Sequence, residues 1–206
     1  MINPEELNMK LIFSDFVIHV ENNLTLSERE ELIDYINDDS RKTQLVTEIG
    51  QTAGVLELGE EYRGFPQSMK ILVRRVEEAF DETHKMLELS DDYVQKIDNY
   101  WINYSCNREI SYPHNHPQNC LVAVYYPKTH KKSYLSILDM PRASINSIPD
   151  DARGEVNQIT MRQYKVFAEE DSLCVFPAWL WHFVQQGDVD GEERLSIAFN
   201  SSIVKK

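Results

Sequence analysis

The 206-residue sequence predicts a mainly β, α+β domain in which two helices precede a two-sheet jelly roll. Near residue 95 the apolar spacing changes from three-to-four to two, and beyond it eight segments rich in Val, Ile, Tyr, Phe and Trp are bounded by Pro, Gly, Asn or Asp. No composition break marks a second domain, so the chain reads as one unit over 1–206, with residues 1–94 flanking a β core at 95–203.

The elements follow in order. Lys10 to Val20 holds Leu11-Ile12-Phe13 and Phe16-Val17-Ile18, which fits a strand or an interrupted pair of strands. Ser27 with Glu30 three positions on has the form of a capping box, and Leu32, Ile33 and Ile36 give the following helix an apolar face that ends near Asp38. Residues 41–65 are polar, carry Gly50, Gly54, Gly59 and Gly64, and predict loops with room for one short strand. Pro66 opens a second helix, whose face is Ile71, Leu72, Val76, Phe80 and Leu87 and which runs to about Leu89. The predicted strands are 95–105, 108–114, 119–127, 133–139, 159–167, 172–176, 182–186 and 194–203. Two sheets folded face to face manage the exposed edges of so many strands, with the helices covering one outer face. Residues 140–158 show no apolar period, which reads as a lid or a disordered loop.

Composition excludes several functions. Lys and Arg total 21 against 34 Asp and Glu, a net charge of −13 that disfavours binding to a phosphate backbone. The basic strip Lys128-Thr129-His130-Lys131-Lys132 reads as a solvated turn. Cys106, Cys120 and Cys174 are odd in number, lack CxxC spacing and sit in or beside apolar runs, as buried thiols of a reducing compartment do. With no signal-like start at Met-Ile-Asn-Pro-Glu-Glu and no run of 18 apolar residues, a soluble cytoplasmic protein with no membrane partner is expected.

The chemistry concentrates in three histidines. If 112–116 is a strand, alternation puts His114 and His116 on one face, where both imidazoles can reach one metal ion. The third ligand must come from another strand, and His182 follows the apolar run Phe176-Pro177-Ala178-Trp179. Three buried imidazoles are costly to explain by packing alone. His19, His84 and His130 stand apart as structural or surface groups, and Trp179 and Trp181 read as core and pocket wall. Twelve residues past His182, a hairpin through Gly187–Gly191 would bring Arg194 back beside that strand, with Ser196 pointing the same way. The competing reading makes Arg194 a surface partner of Glu192 or Glu193.

The runs Tyr112-Pro113-His114-Asn115-His116-Pro117, Leu121-Val122-Ala123-Val124-Tyr125-Tyr126, Leu173 to His182 and Arg194-Leu195-Ser196-Ile197-Ala198-Phe199-Asn200 resemble the iron(II)/2-oxoglutarate-dependent oxygenases. Within them the chain looks most like uncharacterised oxygenases close to prolyl hydroxylases. The resemblance covers residues 95–203 and implies a double-stranded β-helix of cupin-like form. It also implies a hydroxylase that uses iron(II), dioxygen and 2-oxoglutarate on a small molecule or a protein side chain. On this reading His114, His116 and His182 hold the metal and Arg194 and Ser196 bind the cosubstrate, because a guanidinium forks onto a carboxylate and a hydroxyl can add a donor. Tyr104 or Tyr126 is a further contact. The loop at 140–157 would lie over the open end as a lid that selects substrate.

One departure stands out. The usual first pair is His-x-Asp or His-x-Glu, and His116 takes the carboxylate position. A neutral ligand leaves the ion more positive and less tightly held. Asp139 and Glu109 are conceivable substitutes without positional support. Two rival functions follow: a three-histidine cupin-type dioxygenase that uses no 2-oxo acid, and a metal-binding jelly roll without turnover. Only a 2-oxo diacid requires the Arg194–Ser196 pair.

Overall fold

The computed structural model describes residues 15–38, 46–47, 51–52, 56–57, 64–105, 110–130, 133–138, 161–167, 169–185 and 193–206. In chain order these form β1 (Ile18–Val20), α1 (Leu26–Asn37), β2 (Val46–Thr47), β3 (Gln51–Thr52), β4 (Leu56–Glu57) and α2 (Gln67–Met86). The β core follows as β5 (Tyr93–Ser105), β6 (Leu121–Lys128), β7 (Tyr134–Leu138), β8 (Gln163–Val166), β9 (Ser172–Pro177), β10 (Trp181–Gln185) and β11 (Arg194–Lys205).

The strands build a six-stranded sheet in the order β1-β9-β6-β11-β5-β4 and a three-stranded sheet in the order β10-β7-β8, while β2 and β3 pair separately. Every pairing between these strands is antiparallel. Strand parity then decides which residue serves which layer. Leu121, Ala123 and Tyr125 of β6, with Leu195, Ile197 and Phe199 of β11 and Tyr100 and Ile102 of β5, pack against Leu32, Ile36, Leu72, Val76 and Phe80 of the helices. Their neighbours Val122, Val124 and Tyr126, with Cys174, Phe176 and Ala198, face Leu135, Ile137 and Val166 of the smaller sheet. The jelly roll with helices on one outer face is therefore present as expected, and its inner layer carries the site.

Local chemistry sets the helix ends. The capping box at α1 is Thr25 with Glu28, two residues before the pair read from sequence: Thr25 Oγ1 accepts from Glu28 N at 3.3 Å and Glu28 Oε2 accepts from Thr25 N at 2.8 Å. Both pairs fit the motif, and a tertiary contact chooses between them. Leu24 N donates to Asp171 Oδ1 at 2.9 Å and Asn23 Nδ2 to Asp171 O, so the chain is already fixed at residue 24. Helix α2 begins after Pro66, borrows Glu31 from α1 to accept Ser68 N at 2.9 Å, and stops at Met86 because Glu88 takes a left-handed φ of 51°.

Two expectations on strands need correction. Residues 108–114 do not run as a strand: in the described part only Ile110 and His114 pair, as isolated bridges to Gln185 and His182. Pro113 has no N–H to give a ladder, and Pro117 repeats the interruption. Nor do β10 and β11 form a hairpin. β10 pairs with β7 and β11 lies between β5 and β6, so the chain crosses from one sheet to the other between His182 and Arg194. The lid predicted at 140–157, together with Cys106, Glu109, Asp139 and Glu192, lies outside the described residues. Among the described residues no helix is long and apolar enough to cross a membrane.

Candidate active site

His114, His116 and His182 converge although only His182 lies in a strand. The backbones of His114 and His182 exchange two hydrogen bonds, at 2.9 and 2.8 Å, which sets the two residues side by side. His116 is carried on an irregular segment whose N–H donates to Ala178 O at 2.9 Å, so the turn after β9 positions it. The two same-facing histidines expected from sequence are thus brought together by cross-links to 178 and 182 and not by strand alternation.

The ligand nitrogens of the three rings all lie within 4.8 Å of one another. His116 Nε2 and His182 Nε2 are 3.3 Å apart. Nitrogens occupying one face of an octahedron with bonds of about 2.1 Å stand about 3 Å apart, so the set fits a single ion. His114 Nδ1 lies 2.7 Å from Tyr112 O and His182 Nδ1 2.8 Å from Leu180 O, which keeps the proton on Nδ1 and leaves Nε2 as a lone pair. Trp101 stacks on His116 with centroids 5.4 Å apart, and Phe176 meets His182 edge-on at 5.0 Å. Burial, with like-charge repulsion from His114, pushes His116 down to about 4, and burial first pushes His182 down to about 3. Both rings are neutral at pH 7, the form a metal needs. His114 is exposed and marks the mouth.

Arg194 and Ser196 lie on the same inner layer. Arg194, at the start of β11, is 3 % exposed, and among the described residues it makes no ion pair. Its guanidinium lies 5.2 Å from the centre of the Tyr126 ring, and burial lowers its basicity. Arginine stays charged in proteins, so this is a desolvated cation without a counter-ion among the described residues. The surface reading of Arg194 is excluded. Glu193, its proposed partner, instead accepts from Lys128 Nζ at 2.9 Å and from the Tyr104 hydroxyl at 2.8 Å.

Two hydroxyls, of Ser196 and Tyr126, lie beside Arg194. Ser196 Oγ accepts from Arg194 Nη1 at 3.5 Å and from Asn103 Nδ2 at 3.4 Å, which leaves its own proton to donate. The Tyr126 hydroxyl is fully buried and has no well-formed hydrogen bond among the described residues; burial raises its pKa, so it too remains a donor. The two tyrosines lie in different layers. Tyr104 pairs with Leu195 on the helix-facing side and is held by Glu193, whereas Tyr126 faces inward beside Arg194. One step along β11, Ala198 pairs with Trp101, the indole stacked on His116, so Arg194 and the three histidines share one interior.

Other expectations divide. Trp179 and Trp181 are exposed, not core, because Leu180 and His182 take the inward positions and parity turns their neighbours out. The indole of Trp179 instead donates to Asp15 Oδ1 at 3.1 Å. Cys174 is buried and its thiol is pushed up to about 12, while Cys120 is half-buried. His84 is buried with Nε2 3.1 Å from Ser90 O, a structural role as expected, and His19 is exposed. Sequence reasoning missed Trp101, Asn103 and Asn200. Their signal was available: in a strand ending at Ser105, positions 101 and 103 share a face, and Asn200 continues the even-numbered series from Arg194 and Ser196.

Two packed antiparallel sheets that hold a three-histidine cluster beside a buried arginine define a double-stranded β-helix of the oxygenase class. The chain matches, over residues 99–200, the model of the family described as "Putative 2OG-Fe(II) oxygenase". It is thus an iron(II)- and 2-oxoglutarate-dependent oxygenase. Among solved structures, similar folds include a prolyl hydroxylase from Trichoplax adhaerens in complex with a hypoxia inducible factor oxygen degradation domain peptide fragment. That likeness has a TM-score of 0.61 and 12% identity over 90% of this chain and 82% of that one. A prolyl-4-hydroxylase from Pseudomonas putida gives 0.57 and 13% over 89% and 91%. The epimerase SnoN, in complex with Fe3+, alpha ketoglutarate and nogalamycin RO, gives 0.60 and 14% over 93% and 82%. No protein of curated function matches the chain.

Proposed function

We propose that His114, His116 and His182 hold the iron(II) of this oxygenase, and that Arg194, Ser196 and Tyr126 seat the distal carboxylate of 2-oxoglutarate. When bound, iron(II) with 2-oxoglutarate and dioxygen supplies the oxidising chemistry that couples decarboxylation of the oxo acid to hydroxylation of a second substrate. The chain's own residues do the rest. Three imidazoles, two of them tied by Nδ1 to backbone carbonyls, present lone pairs from fixed directions. Arg194 neutralises the carboxylate in a water-poor layer where a charged pair is strong, and Ser196 and Tyr126 donate to it. Trp101 and Phe176 wall the imidazoles from solvent. The observation that carries this reading is the buried Arg194, which has no counter-ion among the described residues. Neither a cosubstrate-free cupin-type dioxygenase nor a metal-binding jelly roll without turnover needs such a cation.

The substrate class follows the similar structures. One holds a peptide and another nogalamycin RO, and we take a peptide side chain or a small molecule as the second substrate. We also take residues 1–206 as one oxygenase domain, since the helices share a core with the larger sheet, and the cytoplasm as its compartment. Anaerobic titration with iron(II) and then 2-oxoglutarate should produce the visible charge-transfer band of the chelate. Iron(II) binding without that band would favour the cosubstrate-free reading, and absence of metal binding would reject the triad.

A further inference from the structure

His116 is the one histidine of the three that lies in neither a strand nor an isolated bridge. Its backbone is held at two points. The N–H donates to Ala178 O at 2.9 Å, and the C=O accepts from Asn119 N at 3.1 Å, which closes a turn over Pro117 and Gln118. Both of those central residues are exposed, so they give the turn no packing to fix its direction, and whatever anchors its far end decides where the imidazole points.

That far end is Asn119, and its anchor is Asp98. Asn119 Nδ2 donates to Asp98 Oδ2 at 3.0 Å, and the Ser202 hydroxyl donates to the same oxygen. Asp98 lies in β5, Ser202 in β11 and Asn119 just before β6, so one carboxylate reaches across the middle strand of three that are neighbours in the larger sheet. A break in the ladder allows this reach. β11 pairs Asn200 with Asn99 but Ser201 with Ile97, which leaves Asp98 as the extra residue of a bulge. Ile97 and Tyr100 both pack in the helix-facing core although three positions apart, which regular alternation forbids. The bulge thus takes Asp98 out of the alternation and turns its carboxylate over β11 toward the turn. Both donors are neutral, and an ionised acceptor makes such bonds roughly twice as strong.

We propose that Asp98 is a positioning residue for His116: through Asn119 it fixes the turn that carries the imidazole, with the β5 bulge delivering its carboxylate. This rests on the reading of the three histidines as metal ligands. Asp98 is not among the groups that converge with the imidazoles, so it gives the third ligand direction and leaves that ligand neutral.

The test uses full-length protein, cobalt(II) titration, and the ring-proton signals of His116 in the metal-free form, which the stacked Trp101 shifts upfield. Asp98→Ala should weaken cobalt(II) binding about 10-fold and move the His116 signals toward unstacked values, with the His182 signals unchanged. Asn119→Asp sets two carboxylates against each other and should do the same. Asp98→Asn combined with Asn119→Asp exchanges donor and acceptor, so the bond re-forms and both readouts should return close to wild type. Side chains that only filled space would not be rescued by that exchange. If Asp98→Ala does not fold, Asn119→Asp and the double variant decide the matter. Unchanged cobalt(II) affinity and His116 signals in Asp98→Ala, or a double variant no better than Asn119→Asp alone, would overturn the proposal. A wild type that binds no cobalt(II) would remove the metal reading, while the His116 signals would still decide the role of Asp98.

Discussion

Arg194 shows how burial turns a common residue into a specific one. A guanidinium at the surface pairs weakly with many carboxylates, but one buried beside Ser196 and Tyr126 is suited to a single anion, which we propose to be 2-oxoglutarate. Arg194→Ala should cost about 2 to 5 kcal/mol of 2-oxoglutarate binding and leave metal content unchanged. Arg194→Lys should recover only part of this, since an ammonium cannot form the fork. Calorimetric titration of 2-oxoglutarate into the metal-loaded protein reads both, and equal affinities in wild type and Arg194→Ala would reject the clamp. At His116 the charge argument predicts that His116→Asp binds iron(II) at least as tightly as wild type, measured by competition with a chelator. Loss of metal would show that the imidazole's longer reach from the turn at Ala178 is required. The same residues mark how far sequence goes. The convergence of the three histidines and the candidate Arg-x-Ser pair were legible because spacing and residue type carry the chemistry proposed for them. Telling that Tyr104 faces the helices needed the register of β11 on β5, which no local pattern encodes.

Elements with one buried face announced themselves, and elements governed by tertiary contact did not. Seven of the eight predicted strands are strands, since alternation of apolar residues is a direct record of a half-buried sheet. The exception, 108–114, carries the first histidine on a segment that Pro113 withholds from any ladder; the histidine cluster is built where regular pairing stops. The shift of the α1 cap from Ser27 to Thr25 has the same origin, in the contact of residues 23–24 with Asp171. Helix α2 packs on the far side of the larger sheet from the histidines, with Phe80 fully buried among Leu32, Leu72 and the outward-facing β residues. Phe80→Ala should therefore cost about 3 to 5 kcal/mol of stability while leaving cobalt(II) affinity close to wild type. Urea unfolding and metal titration on the same variant check this, and a matching fall in metal affinity would show that the two layers are coupled.

At the scale of the molecule, the jelly roll could be read from the number and length of strands, but the partition of strands between sheets could not. His182 and Arg194 are close in sequence and lie in opposing sheets, so the interior between the sheets is where the histidine cluster and the buried guanidinium both lie. That arrangement places two neutral imidazoles in the core, and stability must respond to pH. His116 and His182 have folded values of about 4 and about 3 against 6.5 for the free side chain. Above pH 6.5 neither state carries these protons and the contribution is complete. As pH falls below 6.5 the unfolded chain binds two protons that the folded chain refuses, so stability drops through the window down to about 4 for His116 and about 3 for His182. Each histidine adds a slope approaching about 1.4 kcal/mol per pH unit. Urea midpoints of the metal-free protein should therefore fall between pH 7.5 and 5.5, where most carboxylates stay ionised. The decline should weaken in His182→Gln, and cobalt(II), which binds only the neutral rings, should steepen it by stabilising the folded state most at pH 7.5. Equal midpoints at the two pH values in the metal-free protein would mean that the imidazoles accept protons in the folded state, and the packed, neutral cluster would have to be redrawn.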